Sequence, residues 1–423
     1  MSDVSITQYF FPGQVKIMEQ LFSPDSSPQD PSSDRVIISM RPNLRFTPRC
    51  SKCGSKTLVS HDMTKRLVRD LNLAATVVWL NLFYRKVYCP VCKKVRVEKQ
   101  GFVEPYARVT KRLARYIYEL CKIMTVKEVA FHVGLDWKTV KNIDKAFLEE
   151  EFGKTDYTGL RILAIDEMAI RKGHRYVTVI LDYETGRIVW IGEGRSEETL
   201  DDFFKNMPEE GRSGVVAVAM DMWKPYLKAI KKWCPEATIV FDLFHLVKDF
   251  NQVIDKIRNE EYRKADEEGK AVLKGTKYLL LKSRQHLKKR EAVRLEKVLA
   301  LNQTLSTVYI LKEYLKEIYR YRDKKPAKTA LDDWCNLAWE SKNPELIRFA
   351  QKLKRHSEGI LNHCIYPIHT GKLEGINNTL KVIKRKAYGF LDTRYFALKA
   401  KRRPVWDRLL LVFDSTKLEM NQI

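Results

Sequence analysis

Ile162-Leu163-Ala164-Ile165-Asp166-Glu167 is an apolar run closed by carboxylates, and its reading decides the fold. Tyr176-Val177-Thr178-Val179-Ile180-Leu181 repeats the β-prone pattern. Ile188-Val189-Trp190-Ile191 follows after the turn residues Glu184-Thr185-Gly186-Arg187. Short apolar runs separated by turn residues read as strands of one sheet. A carboxylate ending a buried strand is poor packing material. Asp166 is therefore expected to end the first strand, at a sheet edge that a ligand, substrate or metal can reach.

Downstream, Ser196 caps a helix that stops near Pro208, and Val215-Val216-Ala217-Val218-Ala219-Met220-Asp221 is a fourth strand, again closed by Asp. Trp223 to Cys234 reads as a helix, and Ala237-Thr238-Ile239-Val240-Phe241-Asp242 as a fifth strand closed by Asp. Three strands, helix, strand, helix, strand is the element order of an α/β, RNase H-like core. From His245 to about Leu361 strand signals are absent and the chain is helical and basic, which predicts a helical insertion packed by Trp334 and Trp339. A last helix begins near His369 and carries Glu374 in its first turn. Asn377, Asn378 and Lys381 lie at i+3, i+4 and i+7 from Glu374 and share its face. Ile376, Leu380 and Ile383 make the apolar face beside them.

Upstream, Thr110 caps one helix, and Thr125 with Glu128 forms a capping box for a second. Gly134-Leu135-Asp136 turns the chain into a third helix that starts at Trp137. Helix, short Gly-containing turn, helix is a helix-turn-helix. Lys138, Thr139, Lys141 and Asn142 are then the side chains presented to the major groove.

Earlier still, Cys50-Ser51-Lys52-Cys53-Gly54 and Cys89-Pro90-Val91-Cys92-Lys93 form two knuckles joined by β-prone sequence. Two C-x-x-C units at such spacing read as a zinc ribbon, with Cys50, Cys53, Cys89 and Cys92 around one structural Zn2+. The long gap between them predicts an inserted hairpin, and Lys52, Lys56, Lys93, Lys94 and Arg96 are expected to face DNA. Residues 14–22 are amphipathic and read as a short helix, and the Pro/Ser-rich run 23–34 as a loop.

These readings set the expected domains. Residues 1–44 are an N-terminal segment and linker, 45–104 the ribbon, and 105–152 the helix-turn-helix. Residues 159–250 and 362–423 form the catalytic core, and 251–361 the insertion.

The chain has 423 residues, with 77 Lys and Arg against 53 Asp and Glu, a net charge of +24. A surplus spread along the chain points to a polyanion, most simply nucleic acid. Met1–Phe11 has no signal-peptide pattern, and no run approaches the ~18 apolar residues of a membrane span. Paired C-x-x-C units in a long chain fit a reducing cytoplasm rather than a secreted disulfide framework.

Phosphoryl transfer on DNA needs charge neutralised on both attacking and leaving oxygens, which two Mg2+ or Mn2+ ions supply. Magnesium takes carboxylate oxygens, so isolated carboxylates at sheet ends suit it. Asp166, Asp221 and Glu374 are the expected ligands.

On these residues the chain resembles the DDE transposases of bacterial insertion sequences, specifically the ISL3 family. The resemblance runs over nearly the whole length. It is most specific at Ala164–Glu167, Val218–Trp223, Ile239–His245, Gly371–Asn378 and Lys381–Arg385. It implies a catalytic triad of Asp166, Asp221 and Glu374, supported by Asp242 and His245 as a D-x-x-H signature. Asn378 and Lys381 are further supporting candidates, and Lys384 and Arg385 candidate DNA contacts. The implied reaction nicks DNA at terminal inverted repeats and uses the freed 3′-hydroxyl to attack target DNA. Partners are then double-stranded DNA and a second copy of the chain or a larger assembly, at the nucleoid. Two other classes fit parts of the pattern: a DNA-binding regulator with an inactive core, and a structure-selective nuclease or junction resolvase.

Overall fold

The computed structural model describes residues 15–23, 35–57, 59–73, 76–171, 175–368 and 371–402, apart from the side chains of Gln20, Phe22, Ser23, Arg171, Gly371, Leu373 and Glu374. Two compact units divide the chain, one running to Glu151 and the other beginning at Phe152.

The first unit opens with β1 (Val15–Ser23), β2 (Arg35–Pro42), β3 (Ser60–Arg69), β4 (Val77–Cys89) and β5 (Lys94–Val97). The sheet order is β1-β2-β4-β3, with β5 added to β4. Only β2 and β4 run parallel. Strict alternation in β2 and β4 buries Val36, Ile38 and Met40 with Val78, Leu80, Leu82 and Tyr84. The hairpin of β3 and β4 is the insertion expected between the knuckles.

Two expectations are corrected here. The stretch read as a helix over 14–22 is strand β1 where it is described. Residues 15–23 and 35–42 do not stand apart as a segment and linker; they are two strands of the same sheet. Most of the expected loop, 24–34, lies outside the described residues.

Three helices follow: α1 (Lys111–Ile123), α2 (Val126–Val133) and α3 (Trp137–Phe152). The Thr110 hydroxyl accepts from Leu113 N at 3.2 Å, and the Thr125–Glu128 capping box forms as expected. Gly134 takes φ 65 to end α2, and Asp136 accepts from Lys138 N at 2.9 Å to open α3. Leu113, Ile117, Val129, Val133 and Val140 pack the three together. Asp70, fully buried after β3, accepts from the Thr110 hydroxyl at 2.7 Å and from Arg112 Nε at 2.7 Å. One carboxylate thus fastens the helices to the ribbon sheet.

The second unit begins with β6 (Ile162–Arg171), β7 (Arg175–Asp182), β8 (Ile188–Glu193), α4 (Glu197–Lys205), α5 (Glu209–Ser213), β9 (Ala217–Met220), α6 (Lys224–Trp233) and β10 (Thr238–Phe241). Then come α7 (Leu243–Lys264), α8 (Glu267–Leu273), α9 (Lys277–Leu281), α10 (Lys289–Leu301), α11 (Gln303–Ile318), α12 (Lys324–Glu340), α13 (Pro344–Arg355) and α14 (Ser357–Leu361). Last are α15 (Gly371–Lys386) and α16 (Thr393–Arg402).

The sheet order is β10-β9-β6-β7-β8. β6, β9 and β10 are parallel, and β7 and β8 are antiparallel additions. One face packs Leu163, Ile165, Val218 and Met220 against α4, α6 and the helices α7 to α14. The other packs Ala164, Met168 and Ala219 against Leu380 of α15 and Phe396 of α16. Trp334 is fully buried in the helical bundle, whereas Trp339 is 39% exposed with Lys354 over its ring. So Trp334 packs the bundle as expected, and Trp339 only in part.

β6 does not end at Asp166. It runs five residues further, paired with β7, and Asp166 lies opposite Val179. The reading as a strand end holds only for the β9 side, where pairing stops at Ala164.

Candidate active site and metal centre

Parallel register brings three aspartates into one row. Ala164 lies opposite Ala219, so two residues on, Asp166 meets Asp221. Phe241 lies opposite Met220, so Asp242 follows beside Asp221, and Asp242 N donates to Met220 O at 3.2 Å. Each Asp comes directly after an apolar residue of the core; Asp221 and Asp242 follow the ends of β9 and β10, and Asp166 lies in β6 just past the end of its pairing with β9.

The three differ in what already holds them. Asp242 caps α7, its Oδ1 accepting from Phe244 N at 2.8 Å, and its Oδ2 lies 3.3 Å from His245 Nδ1. Asp242 thus orients both the start of α7 and the His245 ring. Asp221 Oδ1 accepts from Met222 N at 2.5 Å. Asp166 Oδ1 accepts from Glu167 N at 2.7 Å and lies 3.8 Å from His245 Nε2. Asp166 Oδ2 accepts from the Asn377 side-chain amide. His245 thus bridges Asp242 and Asp166.

Among the described residues no Lys or Arg forms an ion pair with Asp166 or Asp221. Burial pushes the Asp166 carboxyl above its ordinary value, against the pull of His245, the Glu167 amide and Asn377. Burial also disfavours charge on His245, but Asp242, Asp221 and Asp166 together outweigh it and raise its pKa. Half-buried carboxylates short of positive charge, all hard oxygen donors, fit a divalent cation.

The Asn377 bond pins α15 to β6 one turn after Glu374, whose side chain lies outside the described residues. Asn378 and Lys381 are exposed, and neither meets the aspartates in a described contact. Lys384 donates to Ala169 O at 3.0 Å, and Arg385 is exposed.

Two residues escaped the sequence reading. Asn377 shares the face of Glu374 in the sequence, but nothing in the helical spacing names Asp166 as its partner. Arg195 was given no role: its guanidinium lies 4.1 Å from the Tyr176 ring centre and 5.1 Å from that of Trp223, and 3.2 Å from Glu167 Oε1. Trp223 follows Asp221 by two, but Glu167 points to the face of β6 opposite Asp166, so Arg195 lies near the row on the other side of the strand from the Asp166 carboxylate.

In the first unit, the sulfurs of Cys50, Cys53, Cys89 and Cys92 all lie within 4.8 Å of one another. Among the described residues they are the only such set of three or more potential ligands. Cys53 and Cys89 stand 3.4 Å apart, and Cys50 and Cys92 3.9 Å. A Zn–S distance of about 2.3 Å gives tetrahedral edges of roughly 3.8 Å. Lys52 N donates to Cys50 Sγ and Cys92 N to Cys89 Sγ, both at 3.4 Å, as thiolate-holding turns require. The Ser55 hydroxyl brings the Cys53 thiol down to about 6. Cys92 is pushed up to about 12, first by its hydrogen bond with Cys53 and then by burial and the other sulfurs. Four thiolates at this spacing need a cation among them, and zinc is the ion the arrangement suits.

On α3, Lys138 and Asn142 are exposed, and Thr139 and Lys141 half-buried. Lys52, Lys56, Lys93 and Lys94 of the ribbon are exposed, whereas Arg96 is half-buried and its Nε is buried without a hydrogen-bond partner. No helix among the described residues is long and apolar enough to cross a membrane.

Comparisons with known proteins agree with this order of parts. A zinc-finger model of the transposases of IS204, IS1001, IS1096 and IS1165 matches residues 47–92. A helix-turn-helix model of the ISL3 transposases matches 98–148, and an ISL3 transposase model matches 163–400. The transposase for insertion sequence element IS1001 of Bordetella parapertussis is 38% identical over 377 residues, covering 88% of this chain and 92% of the relative. That for IS1557 of Mycobacterium tuberculosis is 25% identical over 381 residues, covering 84% and 85%. With a zinc-binding ribbon, a helix-turn-helix and a transposase domain in this order, the chain belongs to the ISL3 family of transposases.

Proposed function

We propose that this chain binds the terminal inverted repeats of an insertion sequence, cleaves the DNA there and joins the freed 3′-hydroxyl ends to target DNA. The strand order, with the first strand central and two parallel neighbours on one side, supports an RNase H-like core. The observation that carries the reading is the register that brings Asp166 of β6 and Asp221, just past β9, to corresponding positions two residues beyond the Ala164–Ala219 pair, while Asn377 ties α15 to Asp166. In this reading 45–104 and 105–152 recognise DNA, 159–250 and 362–423 form the core, and 251–361 is an insertion.

Asp166, Asp221 and Glu374 would hold two Mg2+ or Mn2+ ions, whose bound charge would stabilise the attacking and leaving oxygens. Asn377 fixes the rotamer of Asp166, and Asp242 fixes the His245 ring with Nε2 toward Asp166. His245 is placed to hold a proton at Nε2 beside the reacting oxygens. Lys138, Thr139, Lys141 and Asn142 read repeat DNA, and Lys384 and Arg385 hold its backbone, with Asn378 and Lys381 in support. Two ends must meet, so the active species is a dimer or larger assembly, working in the cytoplasm at the nucleoid.

The test is nicking of a labelled repeat-end duplex in magnesium. Asp166→Asn, Asp221→Asn and Glu374→Gln are expected to keep end binding and lose cleavage. Full activity in any one removes that residue from the site. A wild-type chain that binds ends without ever nicking them is a regulator, and one that nicks without joining is a nuclease.

A further inference from the structure

Beyond the carboxylate row, the second unit carries a cleft of about 610 Å³ where β6 and the end of α15 meet. Ile170, Phe390 and Leu391 make its apolar lining, and Lys384, Arg385 and Tyr388 its polar rim. Ile170 lies four residues past Asp166 on the same face of β6, about 13 Å along the strand. Arg385 lies eleven residues past Glu374, about 16 Å along the helix. The cleft therefore lies about four or five nucleotides from the row at the ~3.4 Å rise of a duplex strand, along the same strand and helix.

Tyr388 is the unusual residue. It is 96% exposed, and it holds φ 52, the left-handed region that disfavours a bulky side chain. The helix ends there, with Tyr388 N donating to Arg385 O and Gly389 N to Lys384 O, both at 3.0 Å. Glycine or asparagine normally occupies such a position. Packing does not account for a ring held there at a conformational cost and left in solvent. By contrast, Phe390 two residues on is anchored, its ring 5.2 Å from Phe396. Lys384 is held against the sheet through Ala169 O, which keeps its charge at the cleft.

We propose that this cleft takes one unpaired nucleotide of a DNA strand leaving the carboxylate row. The base stacks on Tyr388 over the Phe390 and Leu391 floor, and the adjoining phosphates meet Lys384 and Arg385. An aromatic face with flanking cations binds single strands through stacking that any base can make. The volume falls in the range of small-ligand sites. The inference rests on the chain's handling of DNA, not on which carboxylates are catalytic.

Tyr388→Gly separates function from folding, because glycine relieves the backbone and removes the ring. The probe is a twelve-residue oligothymidylate, alone or with one central 5-iodouracil, against a duplex of equal length, in buffer without magnesium. Tyr388→Gly should weaken oligothymidylate binding by about 5- to 150-fold. Duplex binding should stay within about twofold, and the melting temperature should hold or rise. Tyr388→Phe, which keeps the ring, should bind oligothymidylate like wild type. Irradiation should crosslink the iodouracil to a peptide containing Tyr388. Unchanged oligothymidylate affinity in Tyr388→Gly, equal loss for both probes, or crosslinks confined to other segments overturns the proposal. None of these readouts requires cleavage, so an inactive carboxylate row would not mimic its failure.

Discussion

Arg195 shows how much of this site is made by contacts that no local pattern announces. Its guanidinium is stacked against Tyr176 and Trp223 and bonded to Glu167, which restrains a side chain that is still 37% exposed. A cation held near the end of the row, on the Glu167 face of β6, adds positive charge where DNA approaches, and preorganised charge is worth more than mobile charge. Arg195→Ala should lower single-turnover nicking by roughly 10²- to 10³-fold, the usual effect of losing one preorganised donor. Affinity for the uncut duplex should change only a few-fold. Arg195→Lys should recover only part, since an ammonium lacks the planar stack. Equal losses in binding and nicking would instead make Arg195 a general DNA contact. The aspartates were legible because each closes an apolar run, a local signal. Arg195 lies 28 positions from Glu167 and Asn377 lies 211 from Asp166, so only folding reveals those pairs.

Among elements, the legible ones carried their own punctuation. The Thr125–Glu128 box and the Ser196 cap announced helices that form as expected, each cap worth about 1 kcal/mol. β1 failed because a register shift between Ile17 and Glu19 breaks its two-residue alternation, leaving apolar spacing that imitates a helix. Only pairing with β2 decides it. Other elements are joined by a group no sequence pattern marks. Lys312 of α11 is buried, and its ammonium donates to Leu280 O at 2.7 Å and to Lys282 O, at the negative end of α9. Burial nonetheless pulls its pKa down to about 8, with Glu313 opposing. Between that value and about 10.4 the unfolded chain binds a proton that the native one lacks, so stability rises with pH across this window. The full effect is about 3 kcal/mol, present above pH 10 and lost as pH falls through 8. Urea melts of wild type and Lys312→Met across pH 7.5–10.5 should diverge by about that much, wild type gaining. Parallel curves would mean that the ammonium stays charged.

At the scale of the molecule, the two units have separate cores and depend on different things. The second has a large apolar core of its own that runs from the sheet face through the helical bundle. The first holds its ribbon end by four cysteines, two before β3 and two around the β4–β5 turn, which stand outside the apolar cluster of its sheet. Structural zinc contributes folding energy outright, so a ribbon end built on it should loosen when the metal leaves. Cys50→Ser combined with Cys89→Ser is therefore expected to remove one equivalent of bound zinc and to cost most of the affinity for repeat-end DNA. The melting transition of the second unit should be unchanged, because that unit has an apolar core of its own. Elemental analysis, gel shift and calorimetry read the three outcomes separately. Unchanged zinc content would refute the ribbon. Zinc loss with intact repeat-end affinity would assign recognition to α1–α3 alone. A downward shift of both transitions would mean that the metal supports the whole chain rather than one end of one unit.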